Sequence, residues 1–419
     1  SGPRSVDSAI EFADLLFRTG EPAAAFQRLL GSLPPGSHLR SNQTARIVAL
    51  LNKVKPETYV SGESPESLDA ALRLFDLVAG GSAMPAHLHL TRLSLMAAAY
   101  PEDLARLFSA IDEAASRSNE LKLPAYFRVV ETLQSREDPT SMLRFLGASA
   151  MRVVPPSEDL YVRWFVWTAE RGDVDDARYL VTAIANPAIM LDFVRPLDME
   201  VGEDDPKVQL GYLLANQLSA FGRDELAVPA YRLTLELEPD HAWTCNNLGY
   251  LLLEKGGDLA EAESLIERAY AQLPDEISIL DSLAWVRYKR GQLKDRLNAD
   301  GQVTSEGALT LLRRAVDDIG GDINGVILDH FADALWRVGD HVEARRYWAK
   351  SIQAFDEYRQ LATSQGIKRD TPAMRELSEQ LAAVRTKYAA AEKGLEPPIA
   401  PLAMEPGGQH PAAQDQAKP

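Results

Sequence analysis

Cysteine is almost absent from this sequence. The 419 residues contain a single cysteine, Cys245, so no disulfide can form within the chain. Cys245 lies on the inward face of a predicted helix, where cysteine usually behaves as a small apolar residue. The cysteine content therefore excludes a disulfide framework and does not indicate a compartment.

Basic residues are outnumbered by acidic ones. Lysine and arginine total 44 against 61 aspartate and glutamate residues, which gives a formal net charge of −17. Binding to phosphates requires basic patches, and an acidic surface opposes both nucleic acid and anionic lipid. We therefore expect no nucleic-acid partner.

Long apolar runs and common catalytic motifs are also missing. No window holds the ~18 consecutive apolar residues of a membrane-spanning helix, and residues 1–12 lack the apolar core of a signal peptide. The sequence contains no G-x-S-x-G, H-E-x-x-H, G-x-x-x-x-G-K or C-x-x-C motif. We expect no membrane insertion by this chain, no cofactor, no metal and no enzymatic activity.

Small residues at regular positions mark the segment from Ala242 to Asp275. Gly249 lies midway along a predicted first helix, and Gly256 ends that helix. Ala262 lies on a predicted second helix, which Pro274 terminates because proline cannot continue the hydrogen-bond ladder. Glycine and alanine are needed where two antiparallel helices approach closely. The segment therefore predicts a tightly packed helical hairpin.

The same pattern recurs at a period of ~34 residues. Gly222, Gly291 and Gly339 stand where Gly256 stands in the first segment, and each is followed by alanines at matching positions. The recurrence predicts helical-hairpin repeats over residues 208–241, 242–276, 277–324 (with an insertion) and 325–352.

This pattern resembles the tetratricopeptide repeat (TPR) family. The resemblance implies an all-α, right-handed α-solenoid of helical hairpins whose concave groove binds other proteins. The strings NNLGYLL, DSLAWVRYKRG and HFADALWRVGDHVEARRYW are most similar to bacterial cell-envelope TPR proteins, including lipoproteins that act as adaptors for periplasmic proteases. That narrower resemblance implies a place in the cell envelope or periplasm, either soluble or tethered.

The remaining sequence extends this organisation in both directions. Residues 1–200 predict divergent TPR-like hairpins, and the proline-rich, acidic stretch 184–207 predicts an irregular connector. Residues 353–393 predict capping helices, the last of which starts at Pro372 and shields the final repeat. Residues 394–419 are rich in proline, alanine and glutamine, and this composition predicts a disordered tail.

The family's rule for groove-lining positions on each first helix, applied residue by residue, gives a candidate partner-binding surface that mixes aromatic and mostly acidic side chains. We therefore expect a basic or apolar segment of another protein as the ligand. The surface comprises Tyr212, Asn216, Trp243, Asn246, Asn247, Tyr250, Asp281, Trp285, Tyr288, Lys289, Asp329, His330, Asp333, Trp336 and Arg337.

Residues of this surface also fit two other roles, namely packing between repeats and binding of a terminal carboxylate. Trp285 and Trp336 equally fit a role in packing between neighbouring repeats. Chaperone-binding TPR proteins hold a terminal carboxylate with asparagines and cations; Asn216 and Asn247 match the asparagines, but tyrosine and serines stand where the cations are needed. We therefore expect no carboxylate clamp.

The insertion and one histidine could each be interpreted as a metal site. Residues 293–307 resemble a calcium loop, but Arg296 and Gly307 stand where acidic ligands are needed, so an Asp-Gly hairpin flanked by Leu297 and Val303 is favoured. His330 has no visible set of further metal ligands, which favours a binding or packing role.

The sequence as a whole predicts a non-catalytic adaptor that binds a partner protein in the concave groove. One alternative is a structural or assembly protein that acts through self-association, and the sequence does not indicate the oligomeric state. A second alternative is an enzyme whose site lies in the N-terminal half, which convergent carboxylates between Ser64 and Ser135 would support.

Overall fold

The computed structural model describes residues 6–33, 39–53, 65–79, 84–136, 138–194, 205–318, 324–368 and 371–402. Within these ranges nearly all regular structure is α-helical. The chain divides into two compact units, unit 1 (Ser1–Pro196) and unit 2 (Leu197–Pro419).

Unit 1 is a succession of short helices, most of which pack against a neighbour in the chain. They are α1 (Val6–Arg18), α2 (Pro22–Gly31), α3 (Ser41–Leu51), α4 (Pro65–Ala79), α5 (Ala86–Ala99), α6 (Leu104–Arg117), α7 (Lys122–Ser135), α8 (Pro139–Arg152), α9 (Glu158–Arg171), α10 (Val174–Ala183) and α11 (Pro187–Val194). A 3-10 turn, Asn119–Leu121, precedes α7.

The predicted connector at 184–207 is wrong in part. Its first residues form the helix α11, because a proline at the start of a helix gives up no intrahelical hydrogen bond and its fixed φ suits the first turn. Met190 and Leu191 of this helix are buried, so the stretch belongs to the core of unit 1. Residues 195–204 of the connector lie outside the described residues, and Pro206 and Lys207 already belong to α12.

Unit 2 contains four helix pairs and a final helix. The pairs are α12 (Pro206–Ala220) with α13 (Asp224–Leu237), α14 (Ala242–Glu254) with α15 (Leu259–Gln272), α16 (Ile277–Lys289) with α17 (Ala308–Asp318), and α18 (Gly325–Arg337) with α19 (His341–Ser364). The final helix is α20 (Pro372–Glu392). Each helix packs against the next, and α14, α16 and α18 also contact one another in order. This arrangement confirms the predicted fold class, an all-α helical repeat solenoid.

The same type of turn joins the two helices or ends the first helix in all four pairs. Gly222, Gly256, Gly291 and Gly339 end the first helices with φ values of 70°, 72°, 73° and 90°, a left-handed conformation that residues with a Cβ rarely adopt. The following residue in each case donates its N–H to the carbonyl oxygen five positions earlier, at N···O distances of 2.8 to 3.0 Å. Gly20 ends α1 in the same way with φ 84°. The hairpin α1–α2 therefore closes like those of unit 2.

Close contact between paired helices explains a second glycine. A Cβ on Gly249 of α14 would lie 2.6 Å from Cγ1 of Ile266 on α15. No real Cβ tolerates that distance, so the helices approach this closely only because position 249 is glycine. This confirms the predicted reason for the small residue. Cys245 on the same helix is fully buried, as predicted.

The insertion between α16 and α17 is a β-hairpin. Strand β1 (Arg296–Leu297) pairs antiparallel with β2 (Val303–Ser305), and Leu297 lies opposite Val303. Gly301 closes the turn with φ 78°. Both apolar side chains are exposed, at 59% and 53%. The predicted hairpin is confirmed.

Helix α20 begins and ends with recognisable caps. Thr371 accepts a hydrogen bond from the N–H of Met374, and proline occupies the first turn. At the other end Gly394 has φ 69°, and Leu395 N–H donates to the carbonyl of Ala390 at 2.9 Å. Met374, Leu377, Leu381 and Val384 form the buried stripe of α20, which packs on α19.

The prediction of a disordered tail from residue 394 is wrong for residues 395–402, which we call the strap. The strap forms no helix or strand, but its backbone and side chains make hydrogen bonds to α16 and α18. Composition alone predicted disorder because it ignores partners that distant parts of the chain supply. Residues 403–419 of the predicted tail lie outside the described residues.

Candidate functional site

The first helices of unit 2 carry a ladder of amide and phenol groups. The amide oxygen of Asn216 accepts hydrogen bonds from the Tyr231 hydroxyl at 2.5 Å and from Asn247 Nδ2 at 3.0 Å. Asn247 Nδ2 also approaches the Tyr212 hydroxyl at 3.3 Å. Asn246 donates to the Asn247 amide oxygen at 3.1 Å. The ladder fixes these side chains across α12 and α14.

One acceptor of this ladder is unsatisfied. Asn246 is only 5% exposed, and its Oδ1 has no hydrogen-bond partner among the described residues. Tyr231 and Tyr250 lie beside the ladder, and burial raises the pKa of each phenol, so both stay neutral donors. An unpaired buried acceptor is costly, and a donor brought by a ligand would relieve that cost.

A cleft of about 940 Å³ opens beside the ladder. Its walls come from the first helices of the four repeats and from the N-terminal half of α20. Acidic side chains outnumber basic ones in the lining of the cleft. The acidic residues are Asp224, Glu254, Asp281, Glu376 and Glu379, and the basic residues are Lys255 and Arg375. Glu376 and Glu379 are both exposed, so the cleft presents negative charge to solvent.

A stacked aromatic group lies on α16 and α18. The Trp285 ring stacks on His330 with centroids 3.8 Å apart and on Tyr288 with centroids 4.6 Å apart. Its indole N–H donates to Glu254 at 2.7 Å. Trp285 is 3% exposed. The tryptophan therefore packs between neighbouring repeats, and its indole N–H is already satisfied.

His330 is held by a carboxylate. Its Nδ1 lies 2.9 Å from Oδ1 of Asp281, and both side chains are buried. Burial alone would lower the pKa of His330, but Asp281, with further contributions from Asp329 and Asp333, makes the net shift upward. Among the described residues no group of three or more histidine, cysteine, aspartate or glutamate side chains is placed to hold a metal ion. The arrangement is a buried contact between a histidine and a carboxylate.

Helix α20 supplies a buried cation to α18. Lys387 Nζ lies 2.8 Å from Oδ2 of Asp329 and 2.9 Å from Oδ2 of Asp333. Burial and the neighbouring Asp333 raise the pKa of Asp329 despite the lysine. Burial lowers the pKa of Lys387, but the two carboxylates outweigh it and the net shift is upward. This lysine occupies the predicted groove of the last repeat.

The strap covers the rest of that groove. The carbonyl oxygen of Ala400 accepts hydrogen bonds from the Tyr288 hydroxyl at 2.6 Å and from Arg337 at 2.6 Å. The N–H of Ala400 donates to Asp333 at 3.0 Å. Trp336 donates its indole N–H to Glu396 at 3.1 Å.

The predicted surface is thus split between three environments. Tyr212, Asn216, Asn246, Asn247 and Tyr250 form or adjoin the ladder and cleft. Asp281, Trp285, His330, Asp329 and Asp333 are engaged within the packed helices, and Tyr288, Trp336 and Arg337 contact the strap. Lys289 lies over the Trp285 ring at 5.1 Å, and Trp243 is 37% exposed and does not line the cleft.

Sequence reasoning missed the contributions of α20 and the strap. Lys387, Glu376 and Glu379 lie on a helix predicted only as a cap, and Ala400 lies in the predicted tail. The acidic, exposed residues on the polar face of α20 were the available signal. No local sequence pattern predicts a role for Ala400, because its backbone groups, and not its side chain, make the hydrogen bonds to α16 and α18.

Two carboxylates of the N-terminal half share one cation. Asp76 and Glu113 both contact Arg92, at 2.6 Å and 3.0 Å. Both carboxylates are thus engaged in salt bridges with the same guanidinium.

Within the described residues no single helix is both long and apolar enough to cross a membrane. Helices α10 and α11 meet the length and composition criteria only when taken together, and they are bent by 114° at the break between them.

Comparison with known proteins shows that part of this chain is similar in sequence to a curated repeat protein. A curated TPR repeat-containing protein of Pseudomonas aeruginosa is 36% identical to this chain over 88 residues. The match covers 20% of this chain and 15% of the relative, so the two are similar over a small part of their lengths. No protein-family model matches the chain. The likeness and the helical repeats together support a TPR-like protein.

Proposed function

We propose that this chain is a non-catalytic adaptor that binds a basic or apolar segment of a partner protein in the cleft of unit 2. The observation that carries the proposal is the cleft itself, about 940 Å³ in volume, whose charged lining is mostly acidic. Opposite charge attracts a basic segment and orients it, and the effect weakens as salt screens it.

The polar ladder supports binding of a peptide backbone. Asn246 and Asn247 lie on one wall of the cleft, and the Asn246 Oδ1 lacks a partner among the described residues. Extended peptides carry N–H groups that need acceptors, and amide side chains on rigid helices provide them in a fixed orientation. The ladder thus offers one acceptor, the Asn246 Oδ1, and the acidic residues account for selection by charge.

The class of the partner protein is inferred from the repeat strings. The repeat strings resemble those of bacterial cell-envelope adaptors, which supports a protease or its substrate as the recruited protein. The relative in Pseudomonas aeruginosa is described only by its TPR repeats. The experiment below identifies the partner directly.

The test is a capture experiment with a charge-reversed cleft. The variant Glu376→Lys, Glu379→Lys changes two exposed side chains of α20 that line the cleft. The matched control Glu225→Lys, Glu357→Lys makes the same change in net charge at exposed positions outside it. Partners recovered from native lysate and identified by mass spectrometry should be retained by the intact chain and the control, and lost from the cleft variant.

Two further measurements make the result decisive. Circular dichroism must show the same helix content for all three proteins. The lead partner, purified, should bind the intact chain more weakly as salt rises from low to physiological concentration. Equal capture by the cleft variant and the control would contradict the proposal.

A further inference from the structure

The strap lies across α16 and α18 in the manner of a bound peptide. Both polar backbone groups of Ala400 are satisfied by side chains of the groove: the carbonyl by Tyr288 and Arg337, the N–H by Asp333. Recognition of this kind depends on the backbone of the ligand, so it does not require this particular alanine. Any extended segment with a free N–H at this position can make the same three bonds.

The prolines of the strap reduce the number of backbone N–H groups that need an acceptor in the groove. Pro397, Pro398 and Pro401 carry no backbone N–H, and Ile399 donates its own to the carbonyl of Pro397 at 2.8 Å. That bond closes a three-residue γ-turn around Pro398, and proline fixes φ before binding, so less conformational entropy is lost when the segment docks. A proline-containing segment therefore suits this groove for physical reasons.

Side chains on both sides of Ala400 also contact unit 2. Pro397 is buried, and Ile399 and Leu402 are partly buried. The Leu402 side chain reaches the turn at Gly291, where a Cβ would lie 3.5 Å from Leu402 Cδ1. Glu396 accepts the Trp336 indole N–H. The groove thus offers shallow apolar contacts around a central set of hydrogen bonds.

The groove side chains are held in place by bonds that do not involve the strap. Asp333 accepts hydrogen bonds from the Trp348 indole at 3.1 Å and from Lys387 at 2.9 Å. The Tyr288 hydroxyl accepts a hydrogen bond from Arg337 Nε at 3.0 Å. Preorganisation of this kind lowers the cost of binding. The site therefore keeps its shape when the strap leaves.

The strap follows directly on α20, which stops at Gly394, and it contributes no helix or strand to unit 2. A tethered ligand this close to its site has an effective concentration of about millimolar, so it competes strongly with free peptides without binding irreversibly.

We propose that the groove over α16 and α18 is a binding site for proline-containing segments of partner proteins, and that the strap is its resident competitor. The proposal rests on the adaptor function proposed above and adds a second ligand class to it. A partner segment binds this groove by displacing residues 395–402, while the acidic cleft stays open to a different part of the partner.

The test uses a labelled peptide with the sequence of residues 394–402 and the full chain. In the strap variant Ala400→Pro, Leu402→Asp, the N–H that binds Asp333 is removed and a charge is placed at a partly buried position. Fluorescence anisotropy should show that the strap variant binds the peptide at least ~10-fold more tightly than the intact chain, because the competitor has been released.

Two controls separate the groove from non-specific binding. The same peptide with Ala400→Pro should bind the strap variant at least ~10-fold more weakly, since the bond to Asp333 is lost. The strap variant with the added change Arg337→Met, which keeps the aliphatic stem, should also lose affinity for the original peptide. Both controls leave the buried Asp333 and Lys387 untouched.

Two results would overturn the inference. Equal peptide affinity of the intact chain and the strap variant would show that the strap does not compete, and absence of binding to the strap variant would show that the groove does not recognise such segments. Either result leaves the capture experiment on Glu376 and Glu379 unaffected, so this inference can fail while the adaptor function stands.

Discussion

Lys387 of α20 and Asp333 of α18 form a buried ion pair, with Nζ 2.9 Å from Oδ2 and side-chain exposures of 9% and 0%. The same lysine contacts Asp329 at 2.8 Å. The final helix is thus fixed to the last repeat by charge as well as by its apolar stripe. The pair also positions Asp333 to accept the N–H of Ala400.

Loss of this cation should destabilise unit 2. The substitution Lys387→Met leaves Asp329 and Asp333 buried without their partner, which typically costs about 3–5 kcal/mol. Urea denaturation followed by circular dichroism measures the loss. The control Arg385→Met, on the same helix, breaks the exposed pair with Asp356 and should cost less than about 1 kcal/mol. Similar losses in the two variants would contradict the assignment.

A methyl group at position 249 should also destabilise the repeats. In Gly249→Ala the new Cβ meets Ile266 Cγ1 at 2.6 Å, and overpacking of this kind costs about 1–3 kcal/mol. In an Ile266→Ala background, which lacks Cγ1 and Cδ1, the same Gly249→Ala change should cost less, so part of the loss is recovered. Thermal unfolding compares the single and double variants. Recovery is the discriminating result, and its absence would place the strain elsewhere.

A matched glycine provides the control for that series. Gly31 ends α2 with nothing within 4 Å of an added Cβ. The change Gly31→Ala should be neutral or slightly stabilising, since it restricts only the unfolded chain.

The pair His330–Asp281 should make the stability of unit 2 depend on pH. The folded pKa of His330 is raised because the effect of Asp281 exceeds that of burial. A raised pKa means that the protonated form stabilises the fold fully below the ordinary histidine pKa of about 6.5, and that this contribution is lost as pH rises through the folded pKa.

The measurement is the free energy of unfolding at several pH values for the intact chain and for His330→Gln. The difference between the two should shrink as pH rises through the raised folded pKa of His330. The imidazole protons in NMR spectra should report the same raised pKa. A difference that is constant with pH would show that His330 is neutral throughout.

The repeat turns and close contacts could be predicted from the sequence because they depend on local residues. Only glycine fits the backbone conformation at position 256 and the helix contact at position 249, so both sites can be recognised in the sequence. The Leu297–Val303 hairpin was predictable for the same reason, since its turn residues lie between its strands.

The occupants of the groove could not be predicted, because they come from far along the chain. The family rule correctly places Asn216 and Asn247 together on neighbouring first helices. It cannot foresee that Lys387 reaches Asp333, or that the backbone of Ala400 binds there. Such contacts leave no periodic pattern in the sequence.

The most direct test of the adaptor claim is photo-crosslinking from within the cleft. A benzophenone amino acid placed at Glu379, which lines the cleft, should crosslink to a partner protein in native lysate, whereas the same probe at the exposed Glu357 on α19 should not. The partner from the cleft should match the one captured by the intact chain. Crosslinks of equal yield at both positions, or at Glu357 alone, would contradict binding in the cleft.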